Sequence, residues 1–177
     1  MASKEILRTQ VSDTSDFKGT AVIFMELCFA VEKTLGKLAK WLRILGFDTL
    51  YEQDVPTGDF EHLKEGRILL TRTRRIWDKH APGNCVLIIS NTLLEQLAEV
   101  ILALKIDPKK IQPFTRCIRC NTLIKPVDKK SVYGIVPDYI WETHEKFQVC
   151  NRCKRIYWPG SHIHHSMEKI KQLFEPQ

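Results

Sequence analysis

The sequence lacks the features that define membrane, fibrous and repeat proteins. The apolar run near its start, Ala21 to Val31, is too short to span a bilayer and contains Glu26. No signal peptide, internal repeat or low-complexity tract is visible. These absences predict a cytoplasmic protein with no membrane partner. In that reducing compartment, the six cysteines are expected to be thiols or metal ligands rather than disulfides.

The composition is that of a globular protein with an excess of basic residues. Of the 177 residues, 44% are hydrophobic and 27% are charged, which excludes a disordered or fibrous chain. The length has room for one ordinary domain, or for a small domain and a metal-stabilised module. The net charge of +6 favours a polyanionic partner, although many basic proteins never bind nucleic acid.

Apolar strand segments alternate with helical segments after residue 20. The pattern predicts strands at residues 21–29, 47–51, 67–71 and 86–90, and helices at 33–45, 59–64 and 92–104. The first long helix carries its leucines as one stripe, and Gly46 follows it where a helix end favours positive φ. Thr92 and Glu95 have the spacing of a capping box at the start of the last of these helices. This alternation indicates an α/β fold with a mainly parallel sheet flanked by helices.

Composition divides the chain into three parts. Residues 1–20 are polar and read as a flexible leader, and residues 21–110 read as the α/β domain. The segment 105–110 contains Pro108 and breaks the alternation, so we expect a hinge there. Residues 111–177 read as a small cysteine-containing module that ends in an amphipathic helix at about 166–174.

Two C-x-x-C pairs are the strongest chemical signal. They are formed by Cys117, Cys120, Cys150 and Cys153, with residues 121–149 between them. Two tight turns that each present two sulfurs complete a tetrahedral shell suited to Zn²⁺, so we expect a structural zinc ribbon. The alternatives are two independent redox dithiols or buried cysteines without ligands. The long interval predicts a hairpin or loop excursion through residues 132–147, and Cys28 and Cys85 read as small buried hydrophobes.

Three stretches together resemble the Mut-seven C-terminal RNase domain family, which has a PIN-like fold and a zinc ribbon. The first runs from Phe29 through Glu32 and Leu35-Gly36-Lys37-Leu38-Ala39-Lys40-Trp41-Leu42-Arg43 to Asp48. The second is Glu65-Gly66-Arg67-Ile68-Leu69-Leu70-Thr71-Arg72. The third comprises the cysteine pairs followed by Tyr157-Trp158-Pro159-Gly160-Ser161-His162. The resemblance extends over about residues 21–175.

The resemblance implies a metal-dependent endoribonuclease in which acidic side chains at the carboxyl ends of parallel strands hold Mg²⁺ or Mn²⁺. The expected site residues are Glu32, Asp48, Asp59, Thr73 and Asp78, with Asp54 as a further acidic candidate. Glu32 stands where the family more usually has Asp. Thr73 stands where the family usually has Asp in the segment Leu-Thr-Arg-Asp, which replaces a carboxylate with a hydroxyl.

Basic and aromatic side chains supply the expected RNA contacts. The candidates are Lys37, Lys40, Arg43, Arg72, Arg74 and Arg75. The lysines can equally form an ordinary solvated helix face. We expect Trp41 at the edge of the core, whereas Trp158 can either pack or stack on a base. His162, with His164 and His165 beside it, can tie the ribbon to the first domain or reach the site.

These observations lead to one hypothesis and two alternatives. The hypothesis is a Mg²⁺- or Mn²⁺-dependent endoribonuclease with a structural zinc ribbon, in which Glu32 and Asp48 bind the metal. The first alternative is an RNA-binding protein whose nuclease site has decayed, as Thr73 suggests. The second is a module that binds a protein partner through the ribbon. Convergence of at least three carboxylates separates the enzyme from the first alternative, and the salt dependence of RNA binding separates it from the second.

Overall fold

The computed structural model describes residues 27–55, 60, 63, 65–81, 83–160, 168–171 and 173–174. Four short strands form one sheet, in the order β2-β1-β3-β4: β1 (Cys28–Val31), β2 (Asp48–Tyr51), β3 (Ile68–Thr71) and β4 (Cys85–Leu87). All three pairings are parallel. This confirms the predicted α/β architecture. The chain passes from β1 to β2 on one side and then to β3 on the other, so the strand order reverses between the carboxyl ends of β1 and β3.

Helices cover both faces of this sheet. α1 (Gly36–Ile44) and α3 (Leu93–Leu104) pack with Phe29 and Val31 of β1 in the main apolar cluster. On the other face, Ala30 and Leu69 are buried with Phe60 and with Ile76 of α2 (Arg74–His80). Because successive side chains of a strand point to opposite faces, strands buried on both sides are almost wholly apolar.

The ends of the predicted helices follow local chemistry. A 3₁₀ turn at Lys33–Leu35 precedes α1, and Gly46 after it has a φ of +94°. A Cβ at Gly46 would lie 2.3 Å from the Gln112 carbonyl oxygen, so this close approach requires glycine. The Thr92 hydroxyl accepts a hydrogen bond from the Glu95 N–H at 3.4 Å, which confirms the predicted cap of α3. α2 was not predicted, because its sequence, RRIWDKH, is mostly charged.

A three-stranded antiparallel sheet forms the second part. Its strands are β5 (Lys125–Val127), β6 (Phe147–Val149) and β7 (Ile156–Tyr157), in that order. The excursion between β5 and β6 contains the short helix α4 (Asp138–Thr143) rather than a hairpin. Val132, Val136, Ile140 and Phe147 form its small core, and Trp158 packs against it. Trp158 is therefore half-buried.

Several predicted features lie partly or wholly outside the described residues. The leader, the first part of the predicted strand 21–29 and most of the predicted helix 59–64 lie outside them, as do Asp59, His162, His164 and His165. Within the predicted final helix, residues 168–171 are helical, and Ile170 is buried in the main cluster of the first sheet. Trp41 packs at the edge of that cluster as predicted. None of the described helices is both long and apolar enough to cross a membrane.

Candidate functional site

Glu32 lies at the point where the strand order reverses. It follows β1 directly and is only 7% exposed. Its Oε2 accepts hydrogen bonds from the Thr71 hydroxyl and, at 2.7 Å, from the Arg72 N–H, and its Oε1 accepts one from the Thr73 hydroxyl at 2.9 Å. The last residue of β3 and the two residues after it therefore hold the carboxylate at the crevice where open parallel sheets bind ligands.

These bonds keep Glu32 ionised. Burial disfavours the charged form, but the hydrogen bonds from Thr71, Arg72 and Thr73 outweigh it and lower the pKa of Glu32 below its ordinary value. Thr73, at the position that departs from the family pattern, therefore donates to Glu32 where an Asp side chain would repel it. Two carboxylates at that separation are tolerated only with a shared proton or a cation.

Glu52 is a second carboxylate at the end of the sheet where the strands have their carboxyl termini, which we call the Glu32 edge. The sequence-based prediction did not include it. Val31 and Tyr51 are register partners in β1 and β2, so the residues after them, Glu32 and Glu52, leave neighbouring strands at the same level. Glu52 Oε2 accepts a hydrogen bond from the Lys33 N–H at 2.7 Å. The signal was available, because the last apolar residue of the predicted strand is followed at once by an acidic residue.

Asp48 does not join this site. It is the first residue of β2 and is paired in register with Cys28, the first residue of β1, so it lies at the opposite edge of the sheet from Glu32. There it accepts hydrogen bonds from Arg67 and, at 2.9 Å, from the amide of Asn121, with Arg116 3.6 Å away. Burial by itself would raise the pKa of Asp48. The hydrogen bonds from Arg67 and Asn121 outweigh this effect, so the pKa lies below its ordinary value. We expected Asp48 and Glu32 to bind one metal together. The register of the parallel strands places them at opposite ends of the sheet, so this prediction is wrong.

Arg43 also differs from its predicted role, because its side chain is buried rather than available to RNA. Its Nε and one terminal nitrogen donate to the Thr49 carbonyl, and that second nitrogen also donates to Asp54 at 2.8 Å. The other terminal nitrogen donates to the carbonyls of Ile118 and Arg119 at 2.9 and 3.1 Å. Arg43 therefore ties α1 and β2 to the first cysteine pair, and Asp54 is engaged in that connection.

We predict that Arg43→Met destabilises the chain strongly. Methionine keeps the aliphatic packing, but it leaves three carbonyls and Asp54 without their buried donors, which we expect to cost about 3–5 kcal/mol of unfolding free energy. Urea unfolding followed by circular dichroism measures it. Lys40→Met, one turn earlier and exposed on the same helix, is the matched control and should change the unfolding free energy by less than about 0.5 kcal/mol. Equal stability of the two variants would contradict the connecting role.

The remaining candidates lie on or beside α2. Arg72 donates to the Asn91 side chain at 2.7 Å and to the Ile89 carbonyl at 3.3 Å, which fixes it beside the loop after β4. Asp78 is exposed and paired with Arg74 at 3.2 Å, and the Arg74 guanidinium lies over the Trp77 ring. Arg75 is exposed on the same helix. The described contacts of Asp78 therefore do not include Glu32.

A basic cleft opens at Arg72, whose N–H donates to Glu32. It has a volume of about 650 Å³ and includes Lys37 and Lys40 of α1 together with Arg72 and Asn91. No carboxylate belongs to its lining among the described residues. Of the RNA-binding candidates, the structure thus brings Lys37, Lys40 and Arg72 to one cleft and leaves Arg43, Arg74 and Arg75 out of it.

The four predicted metal ligands converge. The sulfurs of Cys117, Cys120, Cys150 and Cys153 all lie within 4.8 Å of one another. The separation between the sulfurs of Cys117 and Cys153 is 3.7 Å, close to the roughly 3.8 Å expected between sulfurs bound tetrahedrally at 2.3 Å from zinc. Asn121 and Lys154 have positive φ of 64° and 60°, as the predicted turns require. The donor set and its geometry fit zinc, and no other group of three or more ligands occurs among the described residues.

The surroundings of the cluster act differently on the ionisation of individual cysteines. The Tyr157 hydroxyl lies 3.1 Å from the Cys117 sulfur, and the Thr122 hydroxyl lies 3.2 Å from the Cys150 sulfur. Burial opposes ionisation of Cys150, but bonds from the backbone of Cys153 and from Thr122 lower its pKa to about 6. Burial and the neighbouring cysteines raise the pKa of Cys120 to about 12. A bound dication removes this conflict between like charges.

Comparison with known families identifies the family of the chain. The model of the Mut7-C RNase domain matches residues 27–170, which is most of the sequence. The chain belongs to the Mut7-C RNase domain family. No curated protein and no solved structure matches it. The match includes both the Glu32 edge and the four cysteines, so the sheet and the ribbon are parts of one Mut7-C domain.

The membership confirms the resemblance seen in the sequence. Within this Mut7-C chain, the edge where the family's acidic residues are expected carries Glu32, Glu52 and Thr73. The described residues place two carboxylates there, whereas convergence of three was expected of the enzyme, so this criterion favours the RNA-binding alternative. Mg²⁺ is often held by one or two carboxylates and the phosphates of its substrate, so the carboxylates at this edge are donors of the type that a divalent ion prefers.

Proposed function

We propose that the chain is a Mg²⁺- or Mn²⁺-dependent endoribonuclease that cuts RNA at the carboxyl edge of its parallel sheet and is braced by a structural zinc. One observation supports this more than any other. The buried Glu32, whose hydrogen bonds favour its ionised form, lies at the strand-order reversal, and Arg72, which donates to it, lines a cleft together with Lys37 and Lys40. A fixed negative group beside a positive cleft is the arrangement that metal-assisted phosphodiester hydrolysis needs.

Each group of the chain has a distinct task in this proposal. Glu32 and Glu52 would hold the divalent ion, which when bound lowers the pKa of water and neutralises charge on the scissile phosphate. Thr71 and Thr73 hold Glu32 in its rotamer through their hydroxyls. Lys37 and Lys40 neutralise phosphates of the RNA backbone in the cleft, and Arg72, fixed by Asn91, presents a planar donor group to the strand.

An RNA-binding protein that no longer cleaves is the second candidate. Thr73 favours it, because this residue satisfies Glu32 without a metal. The basic cleft serves binding equally well in both cases. Cleavage by the wild-type chain therefore separates the two functions, whereas RNA binding does not.

Thr73→Asp tests the proposal. In a buffer without divalent ions, the introduced carboxylate would stand within reach of Glu32 and repel it, and we expect the melting temperature to fall by roughly 5 °C. Mg²⁺ should restore it, since an ion that binds the folded state stabilises that state. Cleavage of a labelled single-stranded RNA should rise by about tenfold over the wild-type rate, because a third carboxylate strengthens ion binding.

Thr73→Asn is the matched control, because the asparagine side chain is neutral and nearly isosteric with that of aspartate. It should show neither the Mg²⁺-dependent melting temperature nor the faster cleavage. The proposed ion site would be overturned if Mg²⁺ changed neither the melting temperature nor the cleavage rate of the Thr73→Asp chain. An inactive wild-type chain with an active Thr73→Asp variant would establish the second candidate. Divalent ions are omitted rather than chelated, because a chelator also removes zinc from the ribbon.

A further inference from the structure

Two clefts of the molecule share part of their lining. The cleft at the Glu32 edge adjoins a second one of about 400 Å³, which lies between α1 and the first cysteine turn. Gly36, Lys40 and Tyr51 line both. The two clefts therefore form one groove that leads from Arg72 to the ribbon, and we call it the basic groove.

Tyr51 forms the floor where the clefts join. Its hydroxyl donates to the Lys33 carbonyl at 2.8 Å, and the side chain is half-buried. A Cβ at Gly36 would lie 2.7 Å from the hydroxyl oxygen of Tyr51, so the first turn of α1 rests directly on this ring. A larger residue at position 36 would have to displace the Tyr51 side chain at this junction.

The ribbon end of the basic groove carries its own positive charge. Arg119 lies between the two cysteines of the first pair, and Arg155 follows the second pair; both are exposed and line the cleft. Asp54 is the one described carboxylate in this lining, and it is bonded to the buried Arg43 at 2.8 Å. The positive charge of Arg119, Arg155 and Lys40 is therefore left to act on a ligand.

The cysteine turns hold both arginines in place. The Arg155 carbonyl accepts a hydrogen bond from the Cys150 N–H at 3.0 Å, and the Arg119 carbonyl accepts one from Arg43 at 3.1 Å. These bonds fix the backbone from which each guanidinium group extends into the groove. Positive groups that follow one groove are the arrangement with which proteins bind the backbone of a single strand.

We propose that the zinc ribbon forms part of the RNA-binding site, in which Arg119 and Arg155 bind backbone phosphates of a single-stranded RNA whose reacting segment lies at the Glu32 edge. This inference rests on the proposed function. It gives the metal-braced turns a role in substrate binding, and it makes affinity depend on the length of RNA that extends past Tyr51.

Binding of single-stranded RNA to the full zinc-loaded chain tests the inference. Filter binding at several salt concentrations compares Arg119→Gln/Arg155→Gln with the wild type, on an oligonucleotide of about 20 residues and on one of about four. We expect the double variant to bind the long RNA about tenfold more weakly. The slope of log affinity against log salt should fall by about 1.4, because each phosphate contact on a single strand contributes about 0.7. The short RNA should be bound almost equally.

Lys125→Gln/Lys130→Gln is the matched control. It removes two exposed positive charges from the same ribbon, away from the basic groove, and should leave both affinities within about twofold of the wild type. Zinc content is measured for each variant. If both double variants lose affinity equally, or neither does while the wild type binds RNA, the inference is overturned and the proposed function stands. A wild-type chain that binds no RNA at low salt overturns the proposed function, and this inference with it.

Discussion

Glu32→Gln is expected to abolish RNA cleavage while leaving RNA binding intact. The neutral amide cannot hold a divalent ion as a carboxylate does, so we expect the cleavage rate to fall by about 10³-fold or more, roughly 4 kcal/mol in activation free energy. Removal of a negative charge beside the basic groove should leave the RNA affinity unchanged or slightly higher. The measurement is the rate of cleavage of labelled RNA at saturating protein, with the dissociation constant determined separately.

The variant should remain folded. The hydroxyls of Thr71 and Thr73 donate to Glu32 in the wild type, and a hydroxyl can turn to accept from the new amide group. The amide oxygen can still accept from the Arg72 N–H. We therefore expect a loss of only about 1–2 kcal/mol in unfolding free energy.

Two control variants make this result specific. Glu142→Gln removes an exposed carboxylate of α4 and should cleave at the wild-type rate. Asp48→Asn removes the carboxylate at the opposite edge of the sheet; it should lower stability, through Arg67 and Asn121, and leave the cleavage rate of the folded chain unchanged. A Glu32→Gln chain that cleaves RNA at the wild-type rate would exclude Glu32 from the reaction.

Cys150→Ser is expected to remove zinc and to weaken the first sheet as well as the ribbon. A serine hydroxyl replaces one of four thiolates whose joint affinity for zinc supplies about 10–16 kcal/mol in small zinc modules. The bound metal should therefore fall from about one equivalent to nearly none. The small core of Val132, Val136, Ile140 and Phe147 cannot hold the ribbon together by itself.

Loss of zinc should also destabilise the first sheet, because buried hydrogen bonds connect the ribbon to it. Asn121 follows the first cysteine pair; its side chain accepts from the Thr49 N–H at 2.9 Å and donates to Asp48. Arg116 donates to the Gly46 carbonyl at 3.0 Å, and Arg43 binds the carbonyls of Ile118 and Arg119. Loss of the cysteine turn leaves these groups buried and unpaired on the sheet side, which is costly.

Zinc analysis and limited proteolysis measure the effect. Cys85→Ala is the matched control, because this cysteine is half-buried in β4 outside the cluster, and burial raises the pKa of its thiol to about 11. It should retain zinc and resist protease. A Cys150→Ser chain that keeps wild-type protease resistance without zinc would show that the ribbon does not need the metal.

The sequence predicted the architecture because the fold depends on patterns that short segments carry. Strands buried on both faces are continuous apolar runs, and the leucine stripe of α1 and the cap at Thr92 are local signals. The cysteine turns were equally accessible, since C-x-x-C fixes two sulfurs on one turn. Helix α2 was missed because a charged helix at the surface has little apolar periodicity.

The candidate site was harder to predict, because it depends on register rather than on sequence proximity. Asp48 and Glu52 are separated by one strand length, and only the pairing of Val31 with Tyr51 shows which of them is level with Glu32. Arg43 resembles its neighbours Lys37 and Lys40 in charge, yet it lies on the buried side of α1. A basic residue within the apolar stripe of a helix indicates a buried side chain that bonds to another element. The position of Arg43 in the sequence allows this prediction.

Analysis of the product ends of cleaved RNA tests the central claim most directly. Zinc-loaded wild-type chain is incubated with a 5′-labelled single-stranded RNA, with and without Mg²⁺ or Mn²⁺, and the new ends are identified. Hydrolysis by water at the Glu32 edge predicts internal cuts that require the added ion and leave no 2′,3′-cyclic phosphate. Absence of cuts, or cuts that persist without the ion and end in cyclic phosphates, would contradict the account.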